Sequence, residues 1–235
     1  MRYAIIAAGE GSRLIQDGVK VCKPLVCLNR EPMIDRLIRI FIEQGASEIV
    51  VIVNDKMSDV VRHVKDLQAQ HENTSCVMEV VVKSTPSSMH SFYELSPYLE
   101  NSLFCLTTVD TIFNENEFST FIEQFKTTSF DGMMAVTDFV DDEKPLYVGT
   151  DKELNITGFY DEKCGCSYIS GGIYCLKPVA LNTLRRCMEE GKSRMRNFQR
   201  QLVADGLHLQ AFPFKKILDV DHVGDIVKAE KFLKS

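Results

Sequence analysis

The chain opens with an apolar run, Tyr3-Ala4-Ile5-Ile6-Ala7, that breaks at Gly9. A short uncharged run bounded by glycine reads as a buried strand. The pattern then switches to helical spacing. Pro32 to Ala46 places Met33, Leu37, Ile40 and Phe41 on one face, with Pro32 at the first helical position and Gly45 at the stop. Glu48 to Val53 is almost wholly β-branched and predicts a second buried strand. Ser58 to Gln68 repeats Val60, Val61, Val64 and Leu67 as a helix would, and Val77 to Lys83 predicts a third strand. Pro86 to Leu99 predicts a helix through Met89, Phe92, Leu95 and Tyr98, and Ser102 to Val109 a fourth strand that ends at Asp110. Strands that are continuously apolar and alternate with helices predict a parallel sheet covered on both faces.

The second half changes character. After a helix over Asn116 to Lys126 come short strands at Gly132 to Asp138, Leu146 to Thr150, Ile156 to Tyr160 and Tyr168 to Leu176. Helices follow at Pro178 to Glu190 and Met195 to Gly206, then a strand over Leu209 to Phe214 and a closing helix over His222 to Leu233. No repeat, low-complexity stretch or linker interrupts the chain. The predicted fold class is α/β: a Rossmann-like, mostly parallel sheet with helices on both faces and a mixed β region in the C-terminal half. Residues 1–235 are expected to form a single domain.

Composition narrows the function without naming it. The chain has 235 residues, 45% hydrophobic and 26% charged, which is ordinary for a globular protein. Lys plus Arg number 27 against 33 Asp plus Glu, so the net charge is −6, the wrong sign for a protein that coats nucleic acid. No apolar run approaches the 18 or so residues of a membrane span, and residues 3–7 are too few for a secretory leader, so a cytoplasmic location is expected. The eight cysteines are scattered, mostly through apolar runs, and predict reduced thiols. Cys164-Gly165-Cys166 is the one close pair, and it lacks the second ligand pair of a zinc site. Asp141-Asp142-Glu143 reads as a solvated turn.

The chemistry concentrates in Ala7-Ala8-Gly9-Glu10-Gly11-Ser12-Arg13-Leu14, followed by Lys23-Pro24-Leu25. Gly9 and Gly11 allow a tight turn and let backbone N–H groups approach an anion. Arg13 and Lys23 add fixed positive charge, and Lys20 lies near enough to compete with Lys23. A P-loop needs Gly-Lys-Ser/Thr after its glycines, and here Gly11 precedes Ser12-Arg13. A dinucleotide-binding turn needs a third small residue where Leu14 stands, which counts against a nicotinamide-dependent oxidoreductase. An ordinary strand-to-helix turn carrying two surface cations is the plainer alternative. Ligands of such sheets sit beyond the carboxyl ends of the strands, where the Gly9 loop and Asp110 both fall.

Gly-x-Gly-x-Arg-Leu followed by Lys-Pro-Leu resembles the signature loop of the nucleotidyltransferases that join a nucleoside triphosphate to a sugar phosphate, phosphocholine or a molybdopterin. The resemblance implies a nucleotide-diphospho-sugar transferase-like fold. It further implies a Mg²⁺-dependent enzyme that transfers an NMP from an NTP to a sugar-1-phosphate or similar acceptor and releases pyrophosphate. Residues 1–113 would form the nucleotide half and 114–235 the acceptor half. By the same resemblance, Arg13 and Lys23 act on the phosphates, while Ala7, Ala8, Gly9, Glu10, Gly11, Ser12 and Ser88 hold the nucleotide. Asp110 stands where the family has a Gly-Asp that binds Mg²⁺, with Val109 in place of the Gly. The late segment Ile217-Leu218-Asp219-Val220-Asp221 looks like the family's second metal carboxylate, Asp221 ahead of Asp219. Asp225 reads as a first-turn helix acid and His222 as a turn residue. Ser170-Gly171-Gly172-Ile173-Tyr174 matches a strand that flanks the acceptor, which assigns Gly171 and Gly172 to that pocket.

Lys83 to Ser91 is rich in hydroxyls that either read a pyrimidine edge or cap the following helix. This segment loosely resembles the Asn-x-x-Ser-Leu pattern of the phosphocholine-type members, without the Asn, and the resemblance puts CTP or UTP ahead of GTP. Expected partners are an NTP and a phosphorylated small molecule, with no nucleic acid and no membrane. Homo-oligomer formation and the acceptor itself are written in no motif. A regulator that kept the fold and lost turnover is the alternative, and intact Arg13, Lys23, Asp110 and Asp221 argue against it.

Overall fold

The computed structural model describes residues 1–72, 74–141 and 143–234. Asp142, within the acidic turn read above, lies outside the described residues.

In chain order the elements are β1 (Arg2–Ala7), α1 (Ser12–Gln16), β2 (Cys27–Leu28), β3 (Glu31–Pro32), α2 (Met33–Glu43), β4 (Glu48–Val53), α3 (Ser58–His71), β5 (Val77–Val82) and α4 (Ser88–Leu95). They continue with β6 (Phe104–Thr108), β7 (Thr111–Phe113), α5 (Glu115–Thr127), β8 (Gly132–Thr137), β9 (Tyr147–Thr150), β10 (Ile156–Tyr160) and β11 (Tyr168–Leu176). The last five are α6 (Ala180–Glu189), α7 (Met195–Ala204), β12 (Leu209–Pro213), β13 (Ile217–Asp219) and α8 (Val223–Phe232).

A nine-stranded sheet runs β10-β9-β11-β6-β1-β4-β5, with β8 on β11 and β12 on β8. β6, β1, β4 and β5 pair in parallel, as their unbroken apolar character predicts. β11 runs antiparallel to β6, β8 and β9, which makes the second half mixed.

Alternation along β1 divides the core in two. Tyr3, Ile5 and Ala7 join a cluster with Phe41, Val60, Phe118 and Phe121, from α2, α3 and α5. Ala4, Ile6 and Ala8 join another with Phe92, Leu184 and Phe198, from α4, α6 and α7. Full burial of each Val, Leu, Ile or Phe among them contributes roughly 1.5–3 kcal/mol.

Several boundaries shift for local reasons. Pro32 pairs with Cys27 in a short hairpin, so α2 starts one residue later and ends two residues before Gly45. The segment predicted as one helix over 86–99 begins at Ser88 and tightens into a single 3₁₀ turn over Ser96–Leu99, because Pro97 has no N–H to continue the α ladder.

One element went unforeseen and positions the site. β7 and β13 form a separate antiparallel ladder, with Asp219 opposite Thr111. Val220 then donates its N–H to the Asp110 carbonyl at 3.1 Å. Room for this ladder comes from a bulge in β11 between Ser170 and Tyr174. A Cβ on Gly171 would lie 2.3 Å from Ile217 Cδ1 and 3.2 Å from the Ala135 carbonyl oxygen, so this position excludes a side chain. Phe113 stacks on Phe118 at 4.7 Å, and the buried Arg36 donates to the Phe113 carbonyl at 2.9 Å. The turn that carries Asp110 is therefore anchored on its far side.

Candidate active site

β1 stops at Ala7, and Gly11 enters α1 with φ +63°, a conformation that glycine adopts without strain. A Cβ on Gly11 would lie 2.9 Å from the Cβ of Lys23, so the loop also needs glycine to let that lysine pass. Lys23 begins a single 3₁₀ turn, and its side chain is only 9% exposed. Its ammonium reaches both distant acids: it pairs with Asp110, and it donates to Asp221 Oδ1 at 2.7 Å. Arg13 donates to the other oxygen of Asp221, also at 2.7 Å. Burial works against the Lys23 charge, but Asp110 and then Asp221 outweigh it and hold its pKa above the ordinary lysine value.

These four charges stand at the edge of a cleft of about 800 Å³. Its walls include Ala8 to Arg13, Lys23, Asn54, Lys56, Ser84 to Ser88, Asp110 and Asp221. Ala7 ends β1 beneath it, and Lys20 is exposed and outside its lining. Asp219 does not line this cleft.

The hydroxyl segment does not cap α4. Ser87 occupies the N-cap position, yet its hydroxyl bonds His90 Nδ1 at 2.8 Å rather than a helix amide. Thr85 and Ser91 share a hydroxyl contact at 2.6 Å. Asn54, which sequence reasoning missed, ties this wall to the loop. Its amide donates to the Ala8 carbonyl at 3.1 Å, and its Oδ1 accepts from Ser84 at 2.8 Å and from the Lys56 N–H at 3.0 Å. The available signal was a polar residue directly after the buried β4 run.

A second cavity of about 340 Å³ shares Ile6, Ser88 and Thr108 with the first. Gly172, Tyr174, Gln199, Asp219, Lys144, Arg194 and Arg196 also line it. The buried Gln199 donates to Ser170 Oγ at 2.8 Å. Burial pushes the Tyr174 hydroxyl up to about 12, so it remains neutral. Arg194, also missed, precedes α7 with φ 70°, a strained conformation for a side-chain-bearing residue. Gly171 lines a third, smaller cavity with Asp219, Asp221, His222 and Lys228.

The Asp221 segment is held by carboxylates on both sides. Asp225 Oδ2 accepts the N–H groups of Asp221 at 3.2 Å and His222 at 2.8 Å. Desolvation resists the Asp225 charge, but the His222 amide and Lys228 bring its pKa below 3.8. His222 is the N-cap of α8, and its ring meets Asp17 rather than either cavity's acids. Asp141 pairs with Lys228 at 2.8 Å. Among the described residues no group of three or more His, Cys, Asp or Glu could hold a metal ion, and all eight cysteines are free. Among them, too, no helix is long and apolar enough to cross a membrane.

No curated protein matches the chain. Solved structures do match across its full length. The inositol-1-phosphate CTP transferase from T. maritima shares 17% identity over 100% of this chain and 96% of its own, with a TM-score of 0.80. A Bacillus anthracis protein provisionally described as a glucose-1-phosphate thymidylyltransferase shares 18% identity over the same shares, with a TM-score of 0.85. UTP-bound UGPase from Acinetobacter baumannii shares 13% identity over 99% of this chain and 92% of its own, at 0.79. At such identities these structures show the common fold. The family described as Nucleotidyl transferase matches residues 3–235. The chain belongs to this family of enzymes, which move an NMP from an NTP to an acceptor.

Proposed function

We propose that the enzyme transfers a pyrimidine nucleotide from CTP or UTP to a phosphorylated polyol, a sugar or cyclitol phosphate, with the triphosphate in the larger cleft and the acceptor in the second cavity. The observation that carries this reading is the convergence of Arg13, Lys23, Asp110 and Asp221 at one mouth. Residues 1–113 supply most of the nucleotide cleft, and 114–235 most of the acceptor cavity, within a single domain.

An acceptor phosphate is already anionic, so the reaction needs positioning and charge neutralisation more than a strong base. One acceptor oxygen forms a bond to the α-phosphorus, the α–β bridging P–O bond breaks, and pyrophosphate leaves with that electron pair. Ala8 to Ser12 offer backbone donors to the phosphates. Arg13 serves the β- and γ-phosphates with its planar fork, and Lys23 serves the α-phosphate. Asp110 and Asp221 aim at one point now taken by an ammonium, which suits Mg²⁺, an ion that takes one or two carboxylates and fills its shell with phosphate oxygens and water. When bound there the ion would neutralise charge on the triphosphate.

The second cavity favours a polyol over phosphocholine. Among the described residues its one aromatic lining residue is Tyr174, too few to cage a quaternary ammonium. Lys144, Arg194 and Arg196 line it beside Asp219, with Arg196 also held by Asp161 at 2.7 Å, and these cationic groups suit a phosphate. Ser170, Gln199 and the Thr107–Thr108 pair suit hydroxyl groups. The similar inositol-1-phosphate and glucose-1-phosphate enzymes support this choice. The test is pyrophosphate release with Mg²⁺ across four NTPs, each against sugar phosphates, inositol phosphate and phosphocholine. Turnover with CTP or UTP and a polyol phosphate is expected. Turnover with phosphocholine alone, or none with any pair, would overturn the reading.

A further inference from the structure

Asp17 sits at the C-cap of α1, where the aligned dipoles of its own helix disfavour a negative charge. Its carboxylate instead serves another helix, more than two hundred residues on. Asp17 Oδ2 accepts the Val223 N–H, the first of α8, at 3.0 Å, and it meets His222 Nδ1 at 2.9 Å. Those two contacts, the amide first, hold its carboxyl below the usual carboxylate range. The short helix α1 thus grips residues 221–223 at both of its ends, through the Arg13 side chain at one and Asp17 at the other.

The two grips differ in what the proposed reaction asks of them. Arg13 and Lys23 must turn to phosphates, and Asp221 must exchange its cations for a metal. Each ion pair that now joins the loop to Asp221 is therefore given up on substrate binding. The contacts of Asp17 use only a backbone amide and a ring that have no other duty in the reaction. Asp225 restrains the same segment, but from within α8, and gives no link to the loop.

Resting on the function proposed above, we infer that Asp17 is a positioning residue: it keeps α1, and with it Arg13, docked against the Asp221 segment once substrate has dissolved the Arg13–Asp221 and Lys23–Asp221 pairs. Residues that orient a metal's ligands typically cost 10–100-fold in metal affinity or activity when removed.

The test uses the whole chain with CTP or UTP and Mn²⁺ as a spectroscopic stand-in for Mg²⁺, and reads free Mn²⁺ by electron paramagnetic resonance. Asp17→Ala is expected to weaken Mn²⁺ binding in the presence of NTP by about 10-fold. The Val223 amide should lose protection against hydrogen exchange in the same variant. Asp17→Asn, whose carbonyl can still accept that amide, is expected to restore most of both. His222→Ala removes one contact and should fall between, and it keeps the question answerable if Asp17→Ala does not fold. A residue that acted only on stability would lower Tm and leave Mn²⁺ affinity alone. Unchanged affinity in Asp17→Ala beside a wild type that binds Mn²⁺ with NTP would overturn the positioning role. A wild type that binds no Mn²⁺ with any NTP would overturn the functional reading instead.

Discussion

The two cavities are built on different electrostatic plans. In the larger cleft every principal charge is already answered: Lys23 by Asp110 and Asp221, and Asp221 in turn by Arg13. The smaller cavity is lined by Lys144, Arg194, Arg196 and Asp219; Arg196 is answered from outside the lining by Asp161 at 2.7 Å, and Arg194 sits on strained backbone. A site proposed to exchange ion pairs for a metal and a polyanion can rest neutral. A site that awaits a single anionic group can hold a cation whose counter-charge stands outside its lining. The contrast separates a place where charge is rearranged from a place where charge is received.

The largest expected effect tests the first half of that contrast. Lys23→Ala leaves Asp110 and Asp221 facing each other and removes the donor proposed for the α-phosphate. Pyrophosphate release should fall by about 10²–10³-fold, as when a transition-state donor is deleted. A continuous pyrophosphate assay at saturating substrate measures it, and a fall in kcat of less than tenfold would dissolve the distinction between the cavities. The next effect tests the second half. Arg194→Ala should raise KM for the acceptor by about 10-fold or more, the worth of a charged hydrogen bond, and leave KM for the NTP nearly unchanged. An equal rise in both would mean that Arg194 belongs to the nucleotide instead.

The smallest effect is one of stability. Asp225 is held below 3.8 in the fold, so its contribution is complete above about pH 4 and is lost as pH falls through the lowered value. Asp225→Asn should therefore lower Tm modestly above about pH 4 and converge with wild type as pH falls through the lowered value, which flattens the acid limb. A parallel downward shift at every pH would show that its amide contacts matter more than its charge.

The larger cleft was far more legible in the chain than the smaller one, for a physical reason. Ala8 to Arg13 and Lys23 are close in sequence, and the same glycines that shape the turn advertise it. Asp110 was visible as an acid ending an apolar strand, and Asp221 through a motif before the last helix. The β7–β13 ladder that joins them is three residues long on each side and depends on a partner a hundred residues away, so no local pattern announces it. Asn54 and Asp17 are single polar residues whose meaning lies wholly in distant contacts. Gly171 was assigned to an acceptor pocket from its motif, whereas the fold places it on the third cavity and leaves it no room for a side chain beside Ile217. Parallel strands declared themselves by composition, whereas helix ends drifted wherever a proline or a short hairpin intervened.

The buried ammonium of Lys23 has a consequence for what the protein ignores. Two acids from later parts of the chain claim it, so an arriving anion must outcompete both at once. Chloride, acetate and other monoanions gain too little from one contact to do so. Only a ligand that brings several negative groups, or its own counter-ion, repays the exchange. Discrimination against small solutes is thus settled by the resting charge arrangement, before any base or ring is recognised.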